Sequence, residues 1–276
     1  MFCKTRFVIP YYLLIVSCLT TLAVGSNSSW AAGEGKSFPV ISSPITVVEL
    51  FTSQGCSACP PADKLLAEMV NQPGILPLSW SIDYWDYLGW RDTFGKPEHT
   101  ERQRNYNRKL GLSGVYTPQV IVQGTVEAIG SRREDVINLV TSQQSLKTSE
   151  TYPIKFHFKG NRLTVSLGKA KLPETASVWL VGFARERTVL VERGENKGQM
   201  LSYHNVVLTS GKLGEWTGKK ANFSADVVTL RAADADGIAV LVQYDDSGLI
   251  IAAAEHPLRP LALDAHIDAP LEVSRR

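Results

Sequence analysis

The chain has 276 residues, 44% of them hydrophobic, with 29 Lys and Arg against 27 Asp and Glu. So even a balance, with no basic stripe, argues against nucleic acid as a partner. The length exceeds that of a typical single domain and points to two.

Residues 1–36 read as an export signal. Lys4 and Arg6 form a positive start, Phe7 to Val24 an apolar run, and small residues follow, with cleavage expected after Gly25 or Ala31. Cleavage removes Lys4 and Arg6 and leaves acidic and basic residues equal in number. Two alternatives stay open: a retained single anchor, or a lipoprotein box at Ile15-Val16-Ser17-Cys18 in which Cys18 carries lipid. The localisation expected is secreted or periplasmic, or lipid-anchored through Cys18. Cys3 and Cys18 both lie in the leader, so the mature chain holds Cys56 and Cys59 alone.

The mature chain changes character near residue 150. Before it, strands alternate with helices. Thr46 to Phe51 is a β-branched apolar run read as a buried strand, and Leu65, Leu66, Met69 and Val70 recur at helical spacing after Pro60-Pro61. Ile75 to Ile82 is a second strand, and Glu98 to Leu110 a polar helix closed by Gly111. In that helix Arg102, Arg104, Arg108 and Lys109 read as a solvated face. Gln119 to Val122 pairs with Val126 to Ile129 through Gln123-Gly124, and Ser131 to Glu134 reads as a capping box opening a last helix. After residue 150 nearly every segment reads as strand. A hairpin turns at Gly160-Asn161, further strands are expected at 178–183, 200–208, 222–230, 238–244 and 249–255, and Pro257 opens an aperiodic tail. Domains are therefore expected at 40–148 (α/β) and 151–257 (all-β, sandwich-like), with 258–276 as the tail.

Cys56-Ser57-Ala58-Cys59 falls between the first strand and the first helix. A C-x-x-C there suits thiol–disulfide exchange, because a helix N-terminus favours the thiolate that attacks a disulfide. Cys56 is the expected nucleophile and Cys59 the resolving thiol, which requires Cys56 to be reachable. A zinc site would need two further ligands, and the five His form no H-x₃₋₅-H pair. No metal or organic cofactor is expected. The dense loop Asp83 to Asp92 follows the second strand at the same sheet end. Its Tyr84, Trp85, Tyr87 and Trp90, with Tyr116, are candidates for binding an extended polypeptide, or else for plugging the core or the domain contact. The polar stretch Glu192 to Gly198 and His204 are ordinary hairpin chemistry or, more sharply, a loop reaching over the thiols to tune them.

The order β-α-β-α-β-β-α with this C-x-x-C resembles a thioredoxin fold, so the expected fold class is an α/β thioredoxin-like domain followed by an all-β domain. Gly114-Val115-Tyr116-Thr117-Pro118 resembles the cis-proline loop of thioredoxins. The resemblance implies that Thr117 and Pro118 lie against the cysteines and that their backbone binds substrate. VELFTSQGCSACPPAD, DYWDYLGWRD, TPQVIVQG and RGENKGQMLSYHNVV together resemble an uncharacterised family of secreted bacterial thioredoxin-like proteins, from about Thr46 to His256. Two departures stand out: Gly55 replaces the aromatic residue usual before the first Cys, and Ser57-Ala58 matches neither the strong oxidants nor the general reductants. Thioredoxin relatives often carry a buried acid six residues before the first Cys as a proton relay. Glu49, seven residues before Cys56, takes that role by resemblance, against the alternative of a strand-end Glu reaching solvent or pairing with an Arg.

These features lead to an exported thiol–disulfide oxidoreductase with Cys56, Cys59, Thr117, Pro118 and Glu49 at its centre. Its partners would be protein thiols or disulfides in the export compartment, with a membrane redox partner as a further option. The competing expectations are a non-catalytic binding module and a copper-handling thiol protein.

Overall fold

The computed structural model describes residues 37–38, 45–146 and 151–258. Residues 1–36, read above as an export signal, with Cys3 and Cys18, and the residues from 259 onward lie outside the described residues.

The chain forms β1 (Ser37–Phe38), β2 (Thr46–Thr52), α1 (Pro60–Met69), β3 (Ile75–Ser81), a short 3₁₀ turn (Asp86–Leu88), α2 (Pro97–Lys109), β4 (Gln119–Val122), β5 (Val126–Ile129) and α3 (Arg133–Ser145). The second half adds β6 (Ile154–Lys159), β7 (Arg162–Leu167), β8 (Ala176–Leu190), β9 (Met200–Trp216), β10 (Ala221–Asp226), α4 (Val228–Ala232), β11 (Gly237–Tyr244) and β12 (Ile250–Pro257). No described helix is long and apolar enough to cross a membrane.

Eight strands from both halves form one sheet in the order β12-β11-β8-β9-β3-β2-β4-β5. β2 and β3 are parallel, and β3 meets β9 in parallel through the pair Ser79 and Val206; the other pairings are antiparallel. Asn205 reinforces this seam by donating its Nδ2 to Pro77 O at 2.9 Å. The sequence-based division at residue 150 marks a real change in composition, yet the sheet runs through it. A second antiparallel sheet, β6, β7 and β10 with β1 at its edge, covers one face of the β8-β9-β11 region. The second half is thus sandwich-like in packing, with one layer that continues into the first half.

Strand alternation sorts the core of the first half into two faces. Val48 and Leu50 on β2 pack with Leu65, Leu66 and Met69 of α1 and Val136 and Val140 of α3. Val47 and Phe51 point to the opposite face, where Leu76, Leu78, Trp80 and Tyr106 of α2 bury with Val181 and Leu241 of the second half. The Gln123-Gly124 turn clamps the halves together: Ile250 N donates to Gln123 O at 2.9 Å and Gln123 Nε2 to Ile250 O at 2.9 Å.

Several expectations need correction. β8 and β9 are 15 and 17 residues long, far beyond the strands read at 178–183 and 200–208, and project as a two-stranded arm. The segment 222–230 is a strand followed by the short helix α4. The capping box at Ser131 does not form: the N-cap is Arg132, with no side-chain cap. Arg102 is not on a solvated face, because its guanidinium is inserted between the sheet and α2. Leu258, assigned to the tail, is buried and donates to Asp236 O at 2.8 Å.

Candidate functional site

The polypeptide leaves β2 at Thr52 and turns through Ser53-Gln54-Gly55 into the cysteine pair. Gly55 N donates to Ser53 Oγ at 3.0 Å and Cys56 N to Ser53 O at 3.2 Å. Gln54 is fully buried and anchors the turn to the segment after β3. Its N–H donates to Asp92 Oδ2 at 2.7 Å, its Nε2 to Thr93 Oγ1 at 2.8 Å, and its Oε1 accepts from Trp90 Nε1 at 2.9 Å. Cys59 caps α1, with Ala62 N and Asp63 N donating to its carbonyl. Cys56 and Cys59 form a disulfide with Cα atoms 5.4 Å apart.

The pair is covered. Cys56 is 3% exposed and Cys59 not at all, while Ser57 and Ala58 between them face solvent. The expected reachability of Cys56 is therefore not met in this state. The cover is the tip of the β8–β9 arm, so the sharper expectation for Glu192 to Gly198 describes where that loop lies. Asn196, itself buried, donates Nδ2 to Cys56 O at 2.9 Å and to Gln54 O at 3.0 Å. Glu195 Oε2 accepts from Ser57 N at 3.1 Å.

The Thr117–Pro118 peptide is cis. Thr117 Oγ1 accepts from Trp85 Nε1 at 2.7 Å, and a Cβ built on Gly55 would lie 3.2 Å from Trp85 Cβ. Trp85 thus joins the proline segment to the turn before Cys56, and the space in front of the first cysteine is filled from the neighbouring loop. That accounts for glycine at position 55. A Cβ built on Gly130 would meet Pro118 and Ala62 of α1, each at 3.1 Å, so the proline lies near the first turn of α1.

The aromatic candidates divide. Trp85 stacks on Tyr87 at 6.2 Å, and Tyr87 is 77% exposed. Trp90 holds Gln54. Tyr84 OH donates to Gln103 Oε1 at 3.2 Å, and Tyr116 turns its hydroxyl to Glu127.

Glu49 is not with the cysteines. It shares the face of Val47 and Phe51, opposite that of α1, so strand alternation points it at α2. There its Oε1 accepts from Arg102 Nε at 2.7 Å, and Tyr106 OH donates to its Oε2. The Arg102 guanidinium also lies over the Trp80 ring at 4.9 Å. Pairing with an arginine, the alternative given for Glu49, is what its surroundings impose.

A different acid follows the cysteine pair in the first turn of α1. Asp63 is one helical turn after Cys59 on the same buried stripe as Leu66, and its Oδ1 has no hydrogen-bond partner among the described residues. Burial pushes its pKa up to about 8, with the Asp92 charge adding to this and the Thr52 hydroxyl opposing it. Asp92 is pushed up to about 6 by burial, against N–H donors from Gln54 and Phe94. Tyr203 of β9 is buried near both acids; burial and these two carboxylates raise its phenol further above its ordinary value. The sequence reading missed Asp63, although Cys59-Asp63-Leu66 keeps helical 4-3 spacing. A charge on the buried stripe was the available signal. Asn196 and Gln54 carried none.

Together these elements define a class: a mixed α/β protein whose parallel strand pair leads into a helix-capping C-x-x-C disulfide, covered by a β-arm of the same chain. Residues 47–243 match the family model described as protein of unknown function (DUF1223), and the chain belongs to that family. It is similar to the crystal structure of protein AGR_C_4864 from Agrobacterium tumefaciens: 33% identity, a TM-score of 0.67, and coverage of 77% of this chain and 94% of that one. No curated protein matches the chain.

Proposed function

We propose that this protein is an exported thiol–disulfide oxidoreductase built on a thioredoxin-like scaffold, acting on protein disulfides. The observation that carries this reading is the disulfide at the head of α1 with the buried carboxyl of Asp63 one helical turn behind it. In the reductive direction, with the arm tip displaced from the turn, Cys56 thiolate attacks a substrate disulfide, forming a mixed disulfide and expelling one substrate thiolate. Cys59 then passes its proton to ionised Asp63 and attacks the Cys56 sulfur. The second substrate thiolate leaves, the Cys56–Cys59 bond forms, and two electrons have moved to the substrate. An acid poised near 8 is matched to a thiol of ordinary pKa about 8.5, so the proton can pass in either direction. Oxidation of a substrate dithiol is the same sequence reversed. Trp85 and Tyr87, beside Thr117 and Pro118, offer an aromatic surface for an extended polypeptide.

A second reading is favoured by the 3% exposure of Cys56: a secreted binding module in which the disulfide stays closed. Trapping separates the two. Cys59→Ser should accumulate mixed disulfides through Cys56 with proteins of the export compartment, and Cys56→Ser should not. Absence of conjugates in both variants, with a Cys56→Ser/Cys59→Ser protein fully active in the cell, would overturn the exchange reading in favour of the binding module.

A further inference from the structure

The arm tip places a carboxylate beside the nucleophilic cysteine, and the placement is built in. β8 and β9 run side by side to Leu190 and Met200. Their connection is then closed by Val191 N to Gln199 O at 3.0 Å and Gly198 N to Val191 O at 2.7 Å. Inside this turn Gln199 N donates to Asn196 O at 3.0 Å, and Gly194 takes a positive φ of 79°. Asn196 is 1% exposed and spends its amide group on the carbonyls of Gln54 and Cys56. With Asn196 locked, the preceding residue must project at Ser57. Glu195 does so, taking the Ser57 N–H, and hydrogen bonds from the Ser57 hydroxyl and N–H hold its carboxyl below the usual range. It is therefore ionised at any pH where a thiol titrates.

We propose that Glu195 is a positioning residue that holds Cys56 in its neutral thiol form in the reduced protein. Its fixed negative charge, held on the residue that follows Cys56, opposes a second one on the Cys56 sulfur, and it occupies the Ser57 N–H, a backbone donor at the head of α1. Helix N-termini ordinarily stabilise a thiolate; here the arm offsets that effect. A destabilised thiolate destabilises the reduced pair, so the couple is more reducing with Glu195 than without it. The inference deepens the exchange reading and rests on it for its consequence, whereas Cys56 ionisation is measurable with no partner present.

The test is the pH profile of iodoacetamide alkylation of Cys56 in the reduced full chain, followed on the Cys56 peptide by mass spectrometry. The midpoint reports charge and the plateau reports access. Glu195→Gln should lower the midpoint by about half a pH unit, a roughly threefold rise in thiolate below the midpoint, since one exposed charge is partly screened. Glu195→Asp should stay near the wild-type midpoint, and Asn196→Ala should raise the plateau by freeing the arm. The other charged or titratable groups around this turn include Asp63, Lys64 and Glu68 of α1, Asp86, Arg91 and Asp92 of the segment after β3, Tyr203 and His204 of β9, and Glu192, Arg193 and Lys197 of the tip; all are kept in Glu195→Gln. Wild-type protein supplies an independent measurement: 1 M salt should lower its midpoint toward that of Glu195→Gln. An unchanged or raised midpoint in Glu195→Gln, or an equal fall in Glu195→Asp, overturns the proposal. If trapping with Cys59→Ser fails while this shift is found, the exchange reading falls and the role of Glu195 in ionisation stands.

Discussion

Asp63→Asn should flatten the pH dependence of stability between pH 6.5 and 8. The wild-type carboxyl has its folded pKa raised from 3.8 to about 8 by burial. The unfolded chain therefore gives up this proton near pH 4, while the folded chain holds it until about pH 8. Between those values the folded state binds one proton more than the unfolded state, and folding loses up to about 1.4 kcal/mol per pH unit as pH rises. Two other buried groups titrate lower. Asp92, raised to about 6, adds a loss of the same sign below that pH, and His99, depressed by burial to about 4, adds a gain that ends near 6.5. In the window from 6.5 to 8 Asp63 dominates, and its titration corresponds to a loss of about 1.5 kcal/mol in the wild type. Asn has the same shape and no charge to bury, so the variant should lose almost none of it. Urea unfolding of the oxidised protein at pH 6.5, 7.2 and 8 measures this without interference from free thiols. Parallel wild-type and variant curves across the window would refute the assignment of Asp63 as a buried carboxyl that titrates late.

The remaining predictions concern other parts of the molecule. Arg102→Met should cost about 3 kcal/mol in urea unfolding, because it strands Glu49 buried and without its cation; Glu49→Leu/Arg102→Met should recover much of that, and a double variant as unstable as the single one would refute the pairing argument. Gly124→Ala should cost about 2 kcal/mol or more, since the backbone has φ +76° there and the new Cβ would lie 2.0 Å from Gly248 O. A midpoint within error of wild type would show that the clamp between the halves yields easily. Tyr87→Ala should leave stability within about 0.5 kcal/mol, its ring being exposed, while slowing exchange with an extended disulfide peptide about threefold. Equal exchange rates would remove the aromatic surface from the substrate path.

What could be read in advance was what local pattern controls. β4 and β5 fall where alternation about Gln123-Gly124 puts them, and the cysteine pair lies at the strand–helix junction that its flanking residues dictate. What could not be read depends on partners distant in sequence. Arg102 on a polar helix reads as solvated because nothing local reveals Glu49, 53 residues away, waiting on the facing strand. Counting back from Cys56 points Glu49 toward the cysteines, whereas the parity of the strand decides which side it faces. The arm was hidden because Arg185-Glu186-Arg187 interrupts the apolar alternation of β8 where the hairpin leaves the core. Asn196 lies about 140 residues from the carbonyls it binds, and a polar residue in a glycine-punctuated loop gives no hint of burial.

The seam between β3 and β9 carries a last consequence. A fragment ending near residue 146 would keep the cysteines and three helices yet leave β3 as an open border, with Leu76, Leu78 and Trp80 stripped of cover from the second half. Such a margin invites strands from other molecules. Attempts to borrow the cysteine-bearing half as a small stand-alone tool should therefore yield precipitate, and inheritance would be expected to transmit the two halves together.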